Sequence, residues 1–385
     1  MMRRVEATQR LRAVEASVSS DAVISALDDP SPEVARAAIR RLVALEGDGA
    51  APALRARVLD VELGVVADFA KALAQIGDGR VLEMAIGGLD DQRPTRRLAA
   101  IRAIGVLADD PAGVGPLRAA LDDDVAGVRA AALEVLGRMA RPGASVGADC
   151  ARLLSDPVAY VRTVAVRTVA RLVSHPGPTL SAAAEDQDRL VRLAVGQFAA
   201  SLPERAARAL LEDPDVRVRE AAARAAGVRE VDALAALLRD DRAPDVRRAA
   251  AHSLGAMHEQ QVADLVLPGL EDRHALVRVA ALGALERLLT REGAVRRLCD
   301  ELSGERASRR RACLYALARL DAREAARELT RLVTDPDPEV RLALIHTAAL
   351  LDEPERIIRY LSRDTDQAVR NAAEMWRLRA SRAES

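Results

Sequence analysis

An aspartate followed six residues later by an arginine recurs along the whole sequence. The aspartates are Asp29, Asp60, Asp91, Asp123, Asp156, Asp186, Asp213, Asp241, Asp272, Asp335 and Asp364. The arginines are Arg97, Arg129, Arg162, Arg192, Arg219, Arg247, Arg278, Arg310, Arg341 and Arg370. A guanidinium group binds carboxylates and phosphates through two parallel hydrogen bonds. These arginines therefore either pair with the aspartates inside the fold or hold an acidic partner.

Other residues that commonly carry chemistry are few and scattered. The sequence has five histidines and three cysteines, without HExxH or CxxC spacing. It has no glycine-rich phosphate loop and no GxSxG nucleophile motif. We therefore predict that the protein is not an enzyme and has neither a cofactor nor a metal site.

The elements that position the arginines are revealed by a repeat. A Val-Arg unit recurs at intervals of 27 to 33 residues. Its first residues, called anchors here, are Val34, Val65, Arg96, Val128, Val161, Val191, Val218, Val246, Val277, Arg309, Val340 and Val369. Such a short, sustained period is typical of a solenoid rather than of separate globular domains.

Each repeat is predicted to contain two helices joined by an acidic turn. In the last complete repeat, apolar residues recur at helical spacing in 323–333 and again in 340–351. Residues suited to N-capping stand three positions before several anchors, as at Ser31 and Asp337. The ninth position after the anchor is Gly or Ala in nine of twelve repeats, which lets neighbouring helices approach closely.

This pattern resembles the HEAT-repeat family, in particular its short subtype of about 30 residues found in phycobilisome-lyase-like proteins. The resemblance covers essentially the whole chain. It implies an all-α fold, an α-solenoid of about 12–13 HEAT-like helix pairs wound into a right-handed superhelix. The second helices of the pairs would line its concave face. We predict one solenoid over residues 1–385, with a capping helix in 1–20 and a capping helix and polar tail in 366–385.

Within this frame, pairing is the favoured role of the recurring arginines. A carboxylate at the end of the first helix opposes that helix's dipole and should not recur there without a partner. The aspartate is present in eleven of twelve repeats and the arginine in ten, with Gly304, Ala35 and Val66 as the exceptions. Near-equal numbers and a net charge of −1 favour a ladder of ion pairs over a stripe of free arginines.

A binding surface is then expected where the repeats differ, mainly at the sixth position after the anchor and also at the second. The predicted partner-binding residues, called the basic strip here, are Arg40, Lys71, Arg102, Arg167, Arg224, Arg248, His252, Arg311, Tyr315 and His346. A groove lined with Arg, His and Tyr suits a partner protein or an acidic peptide. A solvated polar face is the alternative for any one of these residues, and loop 141–150 is a second candidate surface.

The composition limits the classes of partner and the cellular compartments to be considered. A pI near 6.6 disfavours nucleic acid as the partner, since dedicated nucleic-acid binders carry a basic excess. No apolar run is long enough to suggest a membrane span. Cysteines without disulfide spacing suit a reducing cytoplasm, and 56 arginines beside the single Lys71 suit a GC-rich, bacterial-type genome.

The predicted function is a non-enzymatic scaffold or adaptor that binds a partner along the concave face. Two alternatives stay open. One is an accessory subunit of lyase or chaperone type that acts on a cofactor-carrying protein, which the resemblance alone implies. The other is a nucleic-acid-binding HEAT protein.

Overall fold

The computed structural model describes residues 2–107, 111–141, 145–257, 259–351 and 353–383. These residues are helical or form the connections between helices, and no strand occurs among them. They fall into two compact units, one of residues 1–195 and 201–203 and the other of residues 196–200 and 204–385. The all-α solenoid of helix pairs predicted from the repeat is confirmed.

The α-helices of the first unit alternate between short first helices and longer second helices. They are α1 (Met2–Ala16), α2 (Ser20–Ala26), α3 (Pro32–Glu46), α4 (Ala51–Arg55), α5 (Val66–Gln75), α6 (Arg80–Gly87), α7 (Pro94–Val106), α8 (Val114–Ala119), α9 (Ala126–Met139), α10 (Val146–Arg152), α11 (Ala159–Leu172), α12 (Pro176–Leu180) and α13 (Arg189–Gly196), the last of which ends on a residue of the second unit.

The second unit continues the same alternation. Its α-helices are α14 (Glu204–Leu211), α15 (Val216–Ala225), α16 (Val231–Asp240), α17 (Pro244–Leu254), α18 (Ala263–Val266), α19 (Ala275–Glu301), α20 (Ala307–Arg319), α21 (Ala326–Thr330), α22 (Pro338–His346), α23 (Pro354–Leu361) and α24 (Gln367–Ala383).

Many first helices are shorter than their apolar pattern suggests, because 3-10 turns take up part of their length. The segment 323–333, predicted as one helix, is the α-helix Ala326–Thr330 between two 3-10 turns. The 3-10 turns are Gly47–Ala50, Gly88–Asp90, Pro111–Gly113, Ala120–Asp122, Leu153–Ser155, Ser181–Glu185, Ala199–Ser201, Val228–Glu230, Gln260–Val262, Leu267–Glu271, Arg323–Ala325, Arg331–Thr334 and Ala348–Leu350.

Eleven of the second helices begin two residues before their anchors, as the repeat predicts, and α5 begins one residue after its anchor, at Val66. Four of them start on a proline, which supplies a helical φ at the position whose N–H has no intrahelical acceptor. The predicted N-caps Asp215 and Asp337 accept backbone hydrogen bonds from Arg217 and Glu339. Ser31 occupies its N-cap position without a side-chain cap bond.

The core of each unit consists mainly of Ala, Leu and Val side chains. Every valine anchor is buried, and Phe69 joins leucines and isoleucines among the largest fully buried side chains. Small residues at the ninth position permit close helix packing, as the sequence predicts. A Cβ atom added to Gly255, the C-cap residue of α17, would lie 2.6 Å from Cα of Ala284 in α19.

One long helical segment of the second unit contains a break. Within α19, Thr290 has φ 63° and ψ 169°, so two helices meet there without an intervening turn. A β-branched residue is strained in this part of the Ramachandran map, which is populated almost only by glycine. The repeat containing Thr290 is also the one in which Gly304 replaces the recurring aspartate.

Candidate functional site

The ladder of aspartates and arginines is present, and its direction is uniform. In seven rungs the arginine of one repeat binds the aspartate of the next repeat through Nε and Nη2. These rungs are Arg97–Asp123, Arg129–Asp156, Arg162–Asp186, Arg219–Asp241, Arg247–Asp272, Arg310–Asp335 and Arg341–Asp364.

Each rung arginine also reaches back to its own repeat. Nη1 of Arg219 donates to the carbonyl oxygens of Asp213 at 2.8 Å and Pro214 at 3.2 Å. The Asp241 carboxylate in turn accepts the backbone N–H of Ala243 at 2.8 Å. One guanidinium thus joins the turn of its own repeat to the turn of the next.

The ladder carboxylates are held in the charged state. Burial alone would raise the pKa of Asp241, and it is the largest single effect there. The hydrogen bonds from Arg219 and from the Ala243 N–H, with the charges of Arg219 and Arg247, outweigh it and lower the pKa of Asp241 below its usual value. The same balance lowers the pKa of Asp156, Asp186 and Asp272.

Two anchors, Arg96 and Arg309, are arginine instead of valine, and each binds two carboxylates. Asp60 and Asp91 lack the usual partner because the preceding repeats carry Ala35 and Val66 at the ladder position. Arg96 binds both carboxylates instead, through Nε to Asp60 at 2.7 Å and Nη1 to Asp91 at 3.0 Å. In the same way, the anchor Arg309 pairs with Glu271 and Glu301.

In the first unit, the four strip residues lie on α3, α5, α7 and α11 with exposed side chains: Arg40, Lys71, Arg102 and Arg167. Their helices belong to a packed series in which α9 stands between α7 and α11. In α9, the sixth position after the anchor is the exposed Glu134, which interrupts the row of positive charges. Arg102 donates to the carbonyl oxygen of Leu63 at 2.6 Å.

In the second unit, the strip residues lie on α15, α17, α20 and α22: Arg224, Arg248, His252, Arg311, Tyr315 and His346. All three arginines have acidic neighbours, which are Glu220 for Arg224, Asp245 for Arg248 and Glu339 for Arg311. In α19, the sixth position after the anchor is Gly283, so the strip has no side chain between α17 and α20.

His252 is surrounded by positive charge. Burial lowers its pKa, and the charges of Arg287, Arg248 and Arg224 lower it further. The imidazole is therefore neutral at pH 7. Arg287 was not among the residues predicted from the sequence. It stands at the tenth position after its anchor, which the prediction did not include although arginine is present there in five of the twelve repeats, at Arg138, Arg171, Arg287, Arg319 and Arg379. Nε of Arg287 donates to the carbonyl oxygen of Gly255 at 3.3 Å.

A cavity of about 550 Å³ lies where α19 and α20 meet. Arg278 and Leu282 of α19 line one side, and Arg311, Tyr315 and Arg319 of α20 line the other. Two strip residues therefore belong to a concave site, and Arg278 adds a ladder arginine to it. Sequence reasoning noted Gly304 as an exception but did not identify this consequence for Arg278.

Side chains that could bind a metal ion are spread along the described part of the chain. Among the residues that the structure describes, no three His, Cys, Asp or Glu side chains are grouped to hold a metal ion. His258, part of the one His-Glu pair, and residues 142–144 of loop 141–150 lie outside the described residues. Within the described segments, no helix is both long and apolar enough to cross a membrane.

Cys150 and Cys313 are buried, and Cys299 is half-buried. Burial is the main cause that raises the pKa of Cys150 and Cys313 to about 12, and of Cys299 to about 11. Thiols with such pKa values are poor nucleophiles at neutral pH. Cys313 of α20 is completely buried.

Comparison with known proteins agrees with the repeat architecture. The family model for HEAT repeats matches residues 20–105, 231–300 and 295–375, which together make up more than half of the chain. No protein of curated function matches the sequence.

Solved structures share the fold at low sequence identity. Yeast importin-β (Kap95p) is 14% identical with a TM-score of 0.51, and the alignment covers 92% of this chain and 58% of Kap95p. Kap95p with RanGDP gives 15% identity, the same TM-score and the same coverage. An engineered protein is 18% identical with a TM-score of 0.34, covering 92% of this chain and 97% of its own. The chain thus spans less than two thirds of the length of Kap95p.

Proposed function

Because the chain belongs to the HEAT-repeat family, we propose that it is a non-enzymatic scaffold that binds a partner protein along the basic strip. The partner segment that suits this surface is acidic. We place the protein in the cytoplasm of a bacterial-type cell, as its cysteine usage and arginine-rich composition suggest. Kap95p, which shares the fold, binds the protein RanGDP.

The proposal is supported by a difference between two groups of basic residues: the ladder arginines are paired inside the fold, and three strip residues are not. Seven ladder arginines are held bidentately by aspartates inside the fold and are not available to a partner. Arg40, Lys71 and Arg167 of the strip are exposed and make no ion pair with the described residues.

A charge-reversal experiment on the first unit tests the proposal. The variant Arg40→Glu/Lys71→Glu/Arg167→Glu is compared with the wild type as bait in lysate of the native host, with quantitative mass spectrometry of captured proteins. The matched control Arg12→Glu/Arg80→Glu/Arg171→Glu reverses three exposed charges outside the strip. We expect the strip variant to lose the specific partner and the control to retain it.

Other outcomes identify the alternatives. Equal capture by the strip variant and the wild type would remove the strip as the binding surface. Binding to nucleic acid would show itself by an affinity that falls steeply with salt concentration. Co-purification of a coloured chromophore protein would indicate the accessory lyase or chaperone role.

A further inference from the structure

Arg278 is a ladder arginine whose rung is incomplete. Its Nη1 donates to the carbonyl oxygens of Asp272 at 2.8 Å and Arg273 at 3.1 Å, as in the complete rungs. The next repeat carries Gly304 where the aspartate would stand. Nε and Nη2 of Arg278 consequently have no carboxylate among the described residues, and the side chain is exposed. We call this place the open rung.

The backbone at the open rung follows the ladder all the same. The carbonyl oxygen of Gly304 accepts a hydrogen bond from Nη1 of Arg310 at 2.8 Å, the contact that an aspartate carbonyl makes elsewhere. A Cβ atom on Gly304 would approach only the carbonyl oxygen of Glu301, at 3.2 Å. Only the carboxylate is missing, and the turn that would present it is already formed.

The cavity at the open rung has a positive electrostatic character. Arg273, Arg278 and Arg319 line it and make no ion pair with the described residues, whereas its two acidic side chains are occupied. Asp272 is bound by Arg247. Glu271 accepts hydrogen bonds from Ser308 and Arg309, and these lower its pKa against the opposing effect of burial.

The cavity also has an apolar wall. Val279 and Leu282 of α19 stand beside Ala312 and Tyr315 of α20. Tyr315 is 46% exposed and Val279 is 38% exposed, so both offer apolar surface to a bound segment. An aromatic ring next to a guanidinium fork suits a segment that combines an acidic and an apolar residue.

We propose that the open rung binds an aspartate or glutamate side chain of an extended segment of the partner protein. The carboxylate takes the place beside Nε and Nη2 of Arg278 that a ladder aspartate occupies in seven other rungs. A neighbouring apolar residue of the same segment packs on Leu282 and Tyr315. This inference rests on the proposed function for the nature of the occupant as a protein segment, while the site itself rests on Arg278 and Gly304.

Peptide selection on the full chain tests this site. Random dodecamer peptides displayed on phage are selected on the wild-type protein and rejected on the Gly304→Asp variant, which supplies the missing carboxylate from within. We expect Asp or Glu to be enriched at one position, next to an apolar residue. Selected peptides should bind Gly304→Asp and Arg278→Gln at least about tenfold more weakly, the usual effect of losing hydrogen bonds to a charged group. Arg217→Gln, an exposed arginine of another repeat, should leave binding unchanged.

Thermal melting shows whether each variant is folded. Gly304→Asp is expected to melt at or above the wild-type temperature, since it completes a rung, and this gain should vanish in Gly304→Asp/Arg278→Gln. Failure to select peptides, selection without acidic enrichment, or equal binding by the wild type and Gly304→Asp would overturn the proposal. Peptides that tolerate Glu→Gln but need a free C-terminus would show that a terminal carboxylate is bound, which also overturns the side-chain assignment.

This experiment separates the open rung from the strip residues of the first unit, whereas Arg311 and Tyr315 of the strip line the cavity at the open rung itself. Arg40, Lys71 and Arg167 lie in the first unit, so their reversal should not affect a peptide bound at Arg278. If the strip variant loses the host partner while peptides fail at the open rung, only the present inference fails. If peptides bind at the open rung while the strip variant keeps its partner, the open rung stands and only the assignment of Arg40, Lys71 and Arg167 to the binding surface is wrong.

Discussion

Arg219 binds Asp241, 22 residues further along the chain, with Nε at 2.7 Å and Nη2 at 3.0 Å from the two carboxylate oxygens. The side chains of Arg219 and Asp241 are 15% and 4% exposed, so the pair is largely withdrawn from water. Removing one partner of such a pair leaves an uncompensated charge, and that cost exceeds the worth of the pair itself.

We therefore expect Arg219→Ala to lower the free energy of unfolding by about 3 kcal/mol. Urea denaturation followed by circular dichroism measures the change. Arg217→Ala, two residues away and exposed, should change stability by less than about 0.5 kcal/mol. The double variant Arg219→Ala/Asp241→Asn should be more stable than the sum of the single changes predicts, and strict additivity would contradict the pairing.

Acid should destabilise the protein through the ladder. The folded-state pKa values of Asp156, Asp186, Asp241 and Asp272 lie below the unfolded value of about 3.9. Their contribution is therefore fully present above pH 5 and is lost as the pH falls through the folded-state pKa. The free energy of unfolding, measured by urea titration from pH 7 to pH 3, should fall below pH 4. Asp241→Asn should show a shallower fall, and parallel curves would argue against the lowered pKa.

The close contact between helices at the ninth position after the anchor should not tolerate a larger side chain. Gly255→Ala places a Cβ atom against the Cα of Ala284, and backbone cannot move aside as a flexible side chain can. We expect a loss of about 1–3 kcal/mol, typical of overpacking. Gly283→Ala on the neighbouring helix meets only the Arg287 guanidinium, at 3.5 Å, and should stabilise the helix by about 0.5–1 kcal/mol. A thermal melt of the two variants that gives the same sign would contradict this packing.

The break in α19 stores strain that glycine should relieve. Thr290 has φ 63°, where glycine carries no steric penalty. We expect Thr290→Gly to stabilise the protein by about 1 kcal/mol, after the greater chain entropy of glycine is deducted. Thr290→Ala keeps the Cβ atom and should give no such gain in a urea titration. A gain shared by both variants would assign the effect to the threonine hydroxyl instead.

The sequence could predict the repeat because its causes are local. Pro32 and Pro338 begin helices, and apolar residues recur at helical spacing, regardless of what surrounds them. The direction of the ladder was not predictable in this way. Asp213 and Asp241 are equally plausible partners of Arg219 on a sequence, and only stacking shows that the first offers its carbonyl group and the second its carboxylate.

The same limit applies to the candidate site. The basic strip stays a prediction from helical spacing: eight of its ten side chains are exposed, and those of Arg248 and Arg311 are half-buried. That Arg96 compensates for two missing arginines required knowledge of which turns lie side by side. The cavity beside Arg278 likewise depends on the relation of α19 to α20, two helices whose contact no spacing within either of them encodes.

The open rung has a consequence for how the second unit comes apart. Where a rung is complete, unfolding of one repeat leaves an unpaired charge in the neighbouring repeat. Adjacent repeats joined by such a rung are therefore expected to unfold together. Between Arg278 and Gly304 that penalty is absent, and the strained Thr290 lies in the same repeat. The repeats on either side are therefore expected to form separate cooperative blocks, whose amide hydrogens exchange at two distinct rates in mild denaturant. Binding of an acidic segment across this boundary would fuse the blocks into one.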